Sequence, residues 1–172
     1  LNTKCIKDIV VDFGFDGADL DWEPSAVACT ASAGKVSCPT DAEGVAAATA
    51  LRAALPKGSY LLSTASFHVG VYGEGVFAAS KPASAYTGIN LAMARSAAGQ
   101  SFDLINIMSY DAGSLASTGF DPKESFRAHR AAWPNAAIAL GVEVGGAPAV
   151  GFRLVVCVRA RGQPSLRIAT GD

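Results

Sequence analysis

The chain has 172 residues, half of them hydrophobic, and a formal net charge of −1. That length suits one soluble globular domain or part of a larger one, and the near-neutral charge gives no reason to invoke nucleic acid or an anionic membrane surface. No uninterrupted apolar run reaches the ~18 residues of a membrane span, and with no leader-like segment before Leu1 any targeting peptide is expected to have been removed.

Ile6, Ile9, Val10 and Phe13 share a helical face, which predicts a helix over residues 4–13 with Gly14 placed to end it. Phe15 to Glu23 reads as the first strand. Cys29 and Cys38 then flank a loop of small residues, 30–37, that would be floppy unaided. A Cys29–Cys38 disulfide is expected there, and it points to a secreted, extracellular protein; two thiols in a cytosolic loop are the alternative. Thr40-Asp41-Ala42-Glu43 has the form of a capping box opening an alanine-rich helix that Pro56 and Gly58 close.

Tyr60 to Phe67 is a second strand, followed by a loop rich in glycine (Gly70, Gly73, Gly75). Thr87 is placed to cap a helix running to about Gly99. Phe102 to Tyr110 is a third strand, apolar enough to be buried on both faces. Asp121-Pro122-Lys123-Glu124 has a cap, a proline at the first helical position and an early acid, and the helix it opens ends before Pro134. Ala136 to Val144 is a fourth strand. No C-x-x-C pair occurs and His68 and His129 lie far apart, so neither a metal site nor a cofactor is expected.

Strict alternation of strands and helices implies parallel strands with crossover helices outside. No glycine-rich nucleotide fingerprint follows any strand, which weakens an open doubly wound sheet. The fold expected is α/β, an incomplete (β/α)8 barrel of about four βα units, occupying residues 1–150. Residues 151–172 differ: Arg153, Arg159, Arg161 and Arg167 appear with no acid until Asp172. They read as one more strand, Leu154 to Val158, with a solvated basic tail, or as a tail foreign to the domain.

The most informative stretch is Asp16-Gly17-Ala18-Asp19-Leu20-Asp21-Trp22-Glu23. Side chains alternate along a strand, so Asp19, Asp21 and Glu23 point one way and Ala18, Leu20 and Trp22 the other. A row of carboxylates is costly to bury unless protons and hydrogen bonds are shared. A solvated acidic edge is one explanation. A calcium loop is not, because Pro24 stands where its glycine should be, and a magnesium site lacks an accompanying phosphate loop. Catalytic carboxylates at the carboxyl end of a barrel strand are the better fit.

These eight residues resemble the D-G-x-D-x-D-x-E signature of glycoside hydrolase family 18, the chitinases and their relatives. Met108-Ser109-Tyr110-Asp111 is similar to that family's M-x-Y-D segment, two βα units downstream. The resemblance covers about residues 3–146, and makes the four strands barrel strands four through seven. It implies hydrolysis of β-1,4-linked N-acetylglucosamine polymers, with Glu23 as general acid in an enclosed site among carboxylates. The substrate's own acetamido oxygen is then the nucleophile. Asp21 would orient the acetamido N–H and share a proton with Asp19 or Glu23, while Tyr110 would bond the acetamido carbonyl with support from Asp111.

Asn106, Met108 and Tyr110 share a strand face that suits a ligand-lined interior, as do Ser63, Ala65 and Phe67. Asn106, Met108, Ala65, Phe67 and Asp111 are therefore candidate substrate contacts, although core packing is the better fit for Met108 and Phe67. Asp16 is expected to bond backbone at the strand entrance, and Glu143 has no assignable face. Trp22 and Trp133 are expected in the core. The family's eighth-strand tryptophan has no counterpart after Trp133, and strands one to three have none either. The expected partner is chitin or an oligosaccharide containing N-acetylglucosamine, bound by a protein that is monomeric at full length. A non-catalytic glycan-binding relative and an endo-β-N-acetylglucosaminidase are the alternatives, and a fragment that does not fold alone is a third.

Overall fold

A computed structural model of the chain describes residues 1–25, 27–144 and 152–157, the last six and residues 143–144 by backbone alone. In chain order the elements are α1 (Thr3–Asp12), β1 (Gly17–Asp21), β2 (Thr30–Ser32), β3 (Lys35–Ser37), α2 (Asp41–Ala54), β4 (Leu61–Phe67), α3 (Leu91–Arg95), α4 (Ala97–Gln100), β5 (Leu104–Met108), α5 (Pro122–Ala132), β6 (Ala137–Val144) and β7 (Phe152–Cys157). One sheet has the order β1-β4-β5-β6-β7, and β2 and β3 form a separate hairpin. The first four strands are parallel. The fold is therefore α/β, built on a four-stranded parallel sheet with helices.

β7 departs from that pattern by pairing antiparallel with β6, Ala139 opposite Cys157 and Val144 opposite Phe152. The expected last strand thus exists, displaced toward the N-terminus, and it covers the edge that β6 would otherwise leave open. The remainder of the basic tail lies outside the described residues.

Period-two alternation decides which face is covered. Leu20, Leu62, Ile105, Ile107 and Ile138 are buried and meet Ala48 and Leu51 of α2, Ala128 of α5, and Trp133 in one core. Fully burying such an aliphatic side chain contributes about 1.5–3 kcal/mol. β5 was expected to be buried on both faces, but Leu104 and Asn106 on its second face are only half-buried. Trp22 packs against this core from the helix side, its indole facing Gly44 on α2, and Trp133 donates from Nε1 to the Gly99 carbonyl at 3.1 Å.

Two local expectations fail for physical reasons. The helix expected from Thr87 to Gly99 is two short helices. Gly88 has a φ of +86° that no helix accommodates, the Thr87 hydroxyl accepts from the Ser84 amide, and Ser96 is extended and caps α4. Thr40 makes no side-chain cap; Asp41 instead accepts from the Cys38 amide at 2.9 Å. The loop 30–37 is an ordered hairpin that turns at Ala33 and Gly34, with φ of 50° and 74°, as two-residue hairpin turns require.

The Cys29–Cys38 disulfide forms and closes this segment. Val36 sits in a small second core with Cys38 and Ile89. The Val36 amide donates to Glu74, which also pairs with Arg95. Burial pushes the Glu74 pKa up, but the Val36 amide, Arg95 and Lys35 outweigh it and hold the carboxyl below its usual range.

At the opposite end of the strands, Arg52 ties α2 to the sheet. It donates to the carbonyls of Leu55, Tyr60 and Ser101, the Ser101 hydroxyl and the Asp103 carboxylate. Asp103 in turn accepts from the Leu62 amide at 2.9 Å. α5 opens as its sequence indicates, with Asp121 accepting from the Lys123 amide and Pro122 in its first turn.

Candidate functional site

The face of the sheet turned away from the helices carries the candidate residues. Register aligns Asp19 with Ser63, Asp21 with Ala65, Ala65 with Asn106, and Phe67 with Met108, whose β6 neighbour is Gly141. Asp19 and Asp21 are exposed on either side of buried Leu20. Glu23 lies two residues past the end of β1 and is exposed as well, with half-buried Trp22 between it and Asp21. The alternation read from the sequence thus persists beyond the strand, but the enclosed setting expected for Glu23 is not observed.

A close approach fixes this row in place. A side chain at Gly17 would put its Cβ 1.8 Å from the Leu61 carbonyl oxygen, so only glycine lets β1 come this near β4. Asp16 does bond backbone at the entrance, but through its own carbonyl, which accepts the Leu61 amide at 2.8 Å.

Hydrogen bonds single out Asp19. Its Oδ1 accepts from the Ser63 hydroxyl on β4 and from Asn106 Nδ2, 3.2 Å away on β5. Asp21 and Glu23 have no hydrogen-bond partner among the described residues, and none of the three carboxylates has an ion-pair partner there. No hydrogen bond joins Asp21 to Asp19 or to Glu23. Sequence reasoning grouped Ser63 with the interior face but gave it no role, because its bond to Asp19 depends on cross-strand register.

Tyr110 stands four residues beyond Asn106, with its ring against β6 at Gly141, where an added Cβ would lie 3.1 Å from the ring edge. Asp111 follows with a φ of 58°, a left-handed conformation uncommon for a residue other than glycine. It turns the chain sharply away from the strand. An open groove of about 910 Å³ lies here, lined by Ser109, Tyr110, Asp111, Leu115, Phe120 and Val142 among others.

Of the candidate substrate contacts, Met108 is buried. Ala65 and Phe67 are half-buried, and the Phe67 ring stacks on Tyr86 with centroids 4.4 Å apart. Asn106 is committed to Asp19. The Glu143 side chain lies outside the described atoms.

One neighbour escaped sequence reasoning. His68 follows β4 and stands edge-on to Phe120 at 5.1 Å. Burial lowers its pKa, against an opposing hydrogen bond to the Met108 carbonyl. The two histidines come closer in the fold than in the sequence, since His68 is among the groups that perturb His129.

Chemically, the site offers three carboxylates in a line with no ion-pair partner among the described residues, two neutral donors and a tyrosine on the same side of a parallel sheet. That set can donate and accept protons and can hydrogen-bond hydroxyl or amide groups. No family model, curated protein or solved structure matches the chain.

Proposed function

We propose that the chain is part of a (β/α)8 barrel of the glycoside hydrolase family 18 kind, and that it cleaves β-1,4-linked N-acetylglucosamine polymers with retention of configuration. The observation that carries this reading is the line Asp19, Asp21, Glu23 on the open face at the carboxyl end of a parallel strand, with no ion-pair partner among the described residues. Four parallel strands joined through helices support the barrel, and the antiparallel β7 is a departure from it. The disulfide supports an extracellular setting.

In the reaction, protonated Glu23 gives its proton to the glycosidic oxygen as the bond to the anomeric carbon breaks. The acetamido carbonyl oxygen of the same sugar bonds to that carbon, forming an oxazolinium ion. Asp21 accepts the acetamido N–H and stabilises the positive charge. Tyr110 donates to the acetamido oxygen and orients it, and Asp111 sets the turn that carries Tyr110. Ionised Glu23 then takes a proton from water, whose oxygen adds to the anomeric carbon and opens the ring, and Glu23 is protonated again. Chitin, chitooligosaccharides and the chitobiose core of glycoprotein glycans all present the required acetamido group. The active protein is monomeric and needs no cofactor.

The test is proton NMR of a chitooligosaccharide digest in its first minutes. New reducing ends in the β configuration are the expected result, and α-configured products would overturn substrate assistance. A second reading, a non-catalytic glycan-binding protein, is favoured by the exposure of Glu23. Saturable binding of the same oligosaccharide with no product would establish it.

A further inference from the structure

The polar groups beside the acids do not all face a ligand. We propose that Ser63 and Asn106 are positioning residues that tether Asp19, and that Asn106 is not a contact for the sugar. This rests on the glycosidase reading for its catalytic meaning, but the tether itself stands on geometry.

One oxygen, Asp19 Oδ1, receives donors from the two strands beyond its own: the Ser63 hydroxyl from β4 and Asn106 Nδ2 from β5. An ionised carboxylate is only an acceptor, whereas a serine hydroxyl and an amide nitrogen can both donate. Two neutral donors meeting on one carboxylate oxygen are charge-assisted bonds, about twice as strong as neutral ones. Register makes the arrangement specific. Ser63 lies beside Asp19 on β1, and Asn106 lies beside Ala65, one step up the same face. The small Ala65 side chain lets Asn106 reach across β4 to β1.

Asp19 is thereby held against the sheet, while Asp21 and Glu23 carry no such restraint among the described residues. The row divides into one fixed charge and two groups free to meet substrate. Asp19 supplies a stationary negative potential behind Asp21, which strengthens in the transition state as positive charge develops on the oxazolinium ring. Loss of the tether should therefore lower kcat and leave KM nearly unchanged. A sugar ligand at Asn106 would do the reverse.

Two experiments on the full chain decide this. The first needs no activity. Asn106→Asp keeps the side-chain shape but sets a second carboxylate against Asp19, and Asn106→Leu removes the donor without charge. Both are melted from pH 4 to pH 7. Two adjacent carboxylates cannot both ionise without repulsion, so the Asn106→Asp midpoint should fall relative to Asn106→Leu by about 3 °C as the pH rises. Parallel curves would overturn the tether.

The second uses turnover of a fluorogenic chitooligosaccharide. Ser63→Ala and Asn106→Leu should each lower kcat by about tenfold with KM within about twofold, and Ser63→Thr should restore most of it. A raised KM at unchanged kcat would assign Asn106 to the sugar and refute the proposal. If the native chain shows no turnover, the glycosidase reading fails, and the melting comparison still decides the tether.

Discussion

His129 is fully buried on α5 and should make the fold acid-labile in a defined window. Its Nδ1 faces the Ser125 carbonyl at 2.8 Å. Nε2 lies 2.9 Å from the Ser66 hydroxyl on β4. Burial lowers the His129 pKa to about 4; the carbonyls of Ser125 and Phe67 oppose this, and nearby His68 adds to it.

An unfolded histidine titrates near 6.5, so the unfolded chain binds the extra proton first as the pH falls. Stability should therefore be undiminished above about pH 6.5, decline between about 6.5 and 4, and level off below. At 1.36 kcal/mol per pKa unit, the loss is about 3 kcal/mol. The assay is urea unfolding at pH 7, 6, 5 and 4 for the native chain and for His129→Gln, which cannot charge. Titrating groups that do not touch His129 act in both proteins and cancel in the difference. The native chain should lose about 3 kcal/mol relative to the variant across the window. Parallel curves would refute the argument.

Gly17→Ala should destabilise the fold by at least about 2 kcal/mol, because the new Cβ would overlap the Leu61 carbonyl and push β1 from β4; an unchanged melting midpoint would contradict that packing. Replacing Cys29 and Cys38 together by serine should cost about 2.5 kcal/mol from the loop entropy of a nine-residue separation, measured by urea unfolding, and adding reductant should reproduce the loss in the native chain only. Arg52→Met should cost about 2–4 kcal/mol, since among the described residues it leaves the partly buried Asp103 with Lys57 as its remaining cation; a change below about 0.5 kcal/mol would mean that the cluster is dispensable.

Legibility in the sequence followed the physics of each element. β4, β5 and β6 begin and end within two residues of their expected limits, because alternation or apolar runs bounded by Pro56, Gly58 and Pro134 leave few options. The carboxylate row on β1 was legible for the same reason. The hairpin at 30–37 was not, since its signal was a two-residue turn, Ala33-Gly34, between short segments of weak hydrophobicity. The split at Ser96 was hidden because alanine-rich sequence favours helix locally, and the left-handed Gly88 shows only in three dimensions. Contacts that depend on register were invisible in principle. Ser63 meeting Asp19, Gly17 meeting Leu61 and Gly141 receiving Tyr110 each join strands about 40 or 30 residues apart, and nothing in the order of letters sets which rungs align.

Glu23→Gln most directly tests the account. The substitution keeps shape and hydrogen bonding and removes the proton that must reach the leaving sugar. Turnover of a fluorogenic chitooligosaccharide should fall by about 10²–10⁴-fold, with oligosaccharide affinity by calorimetry within about threefold of the native value. Turnover that survives the substitution unchanged would contradict Glu23 as the proton donor.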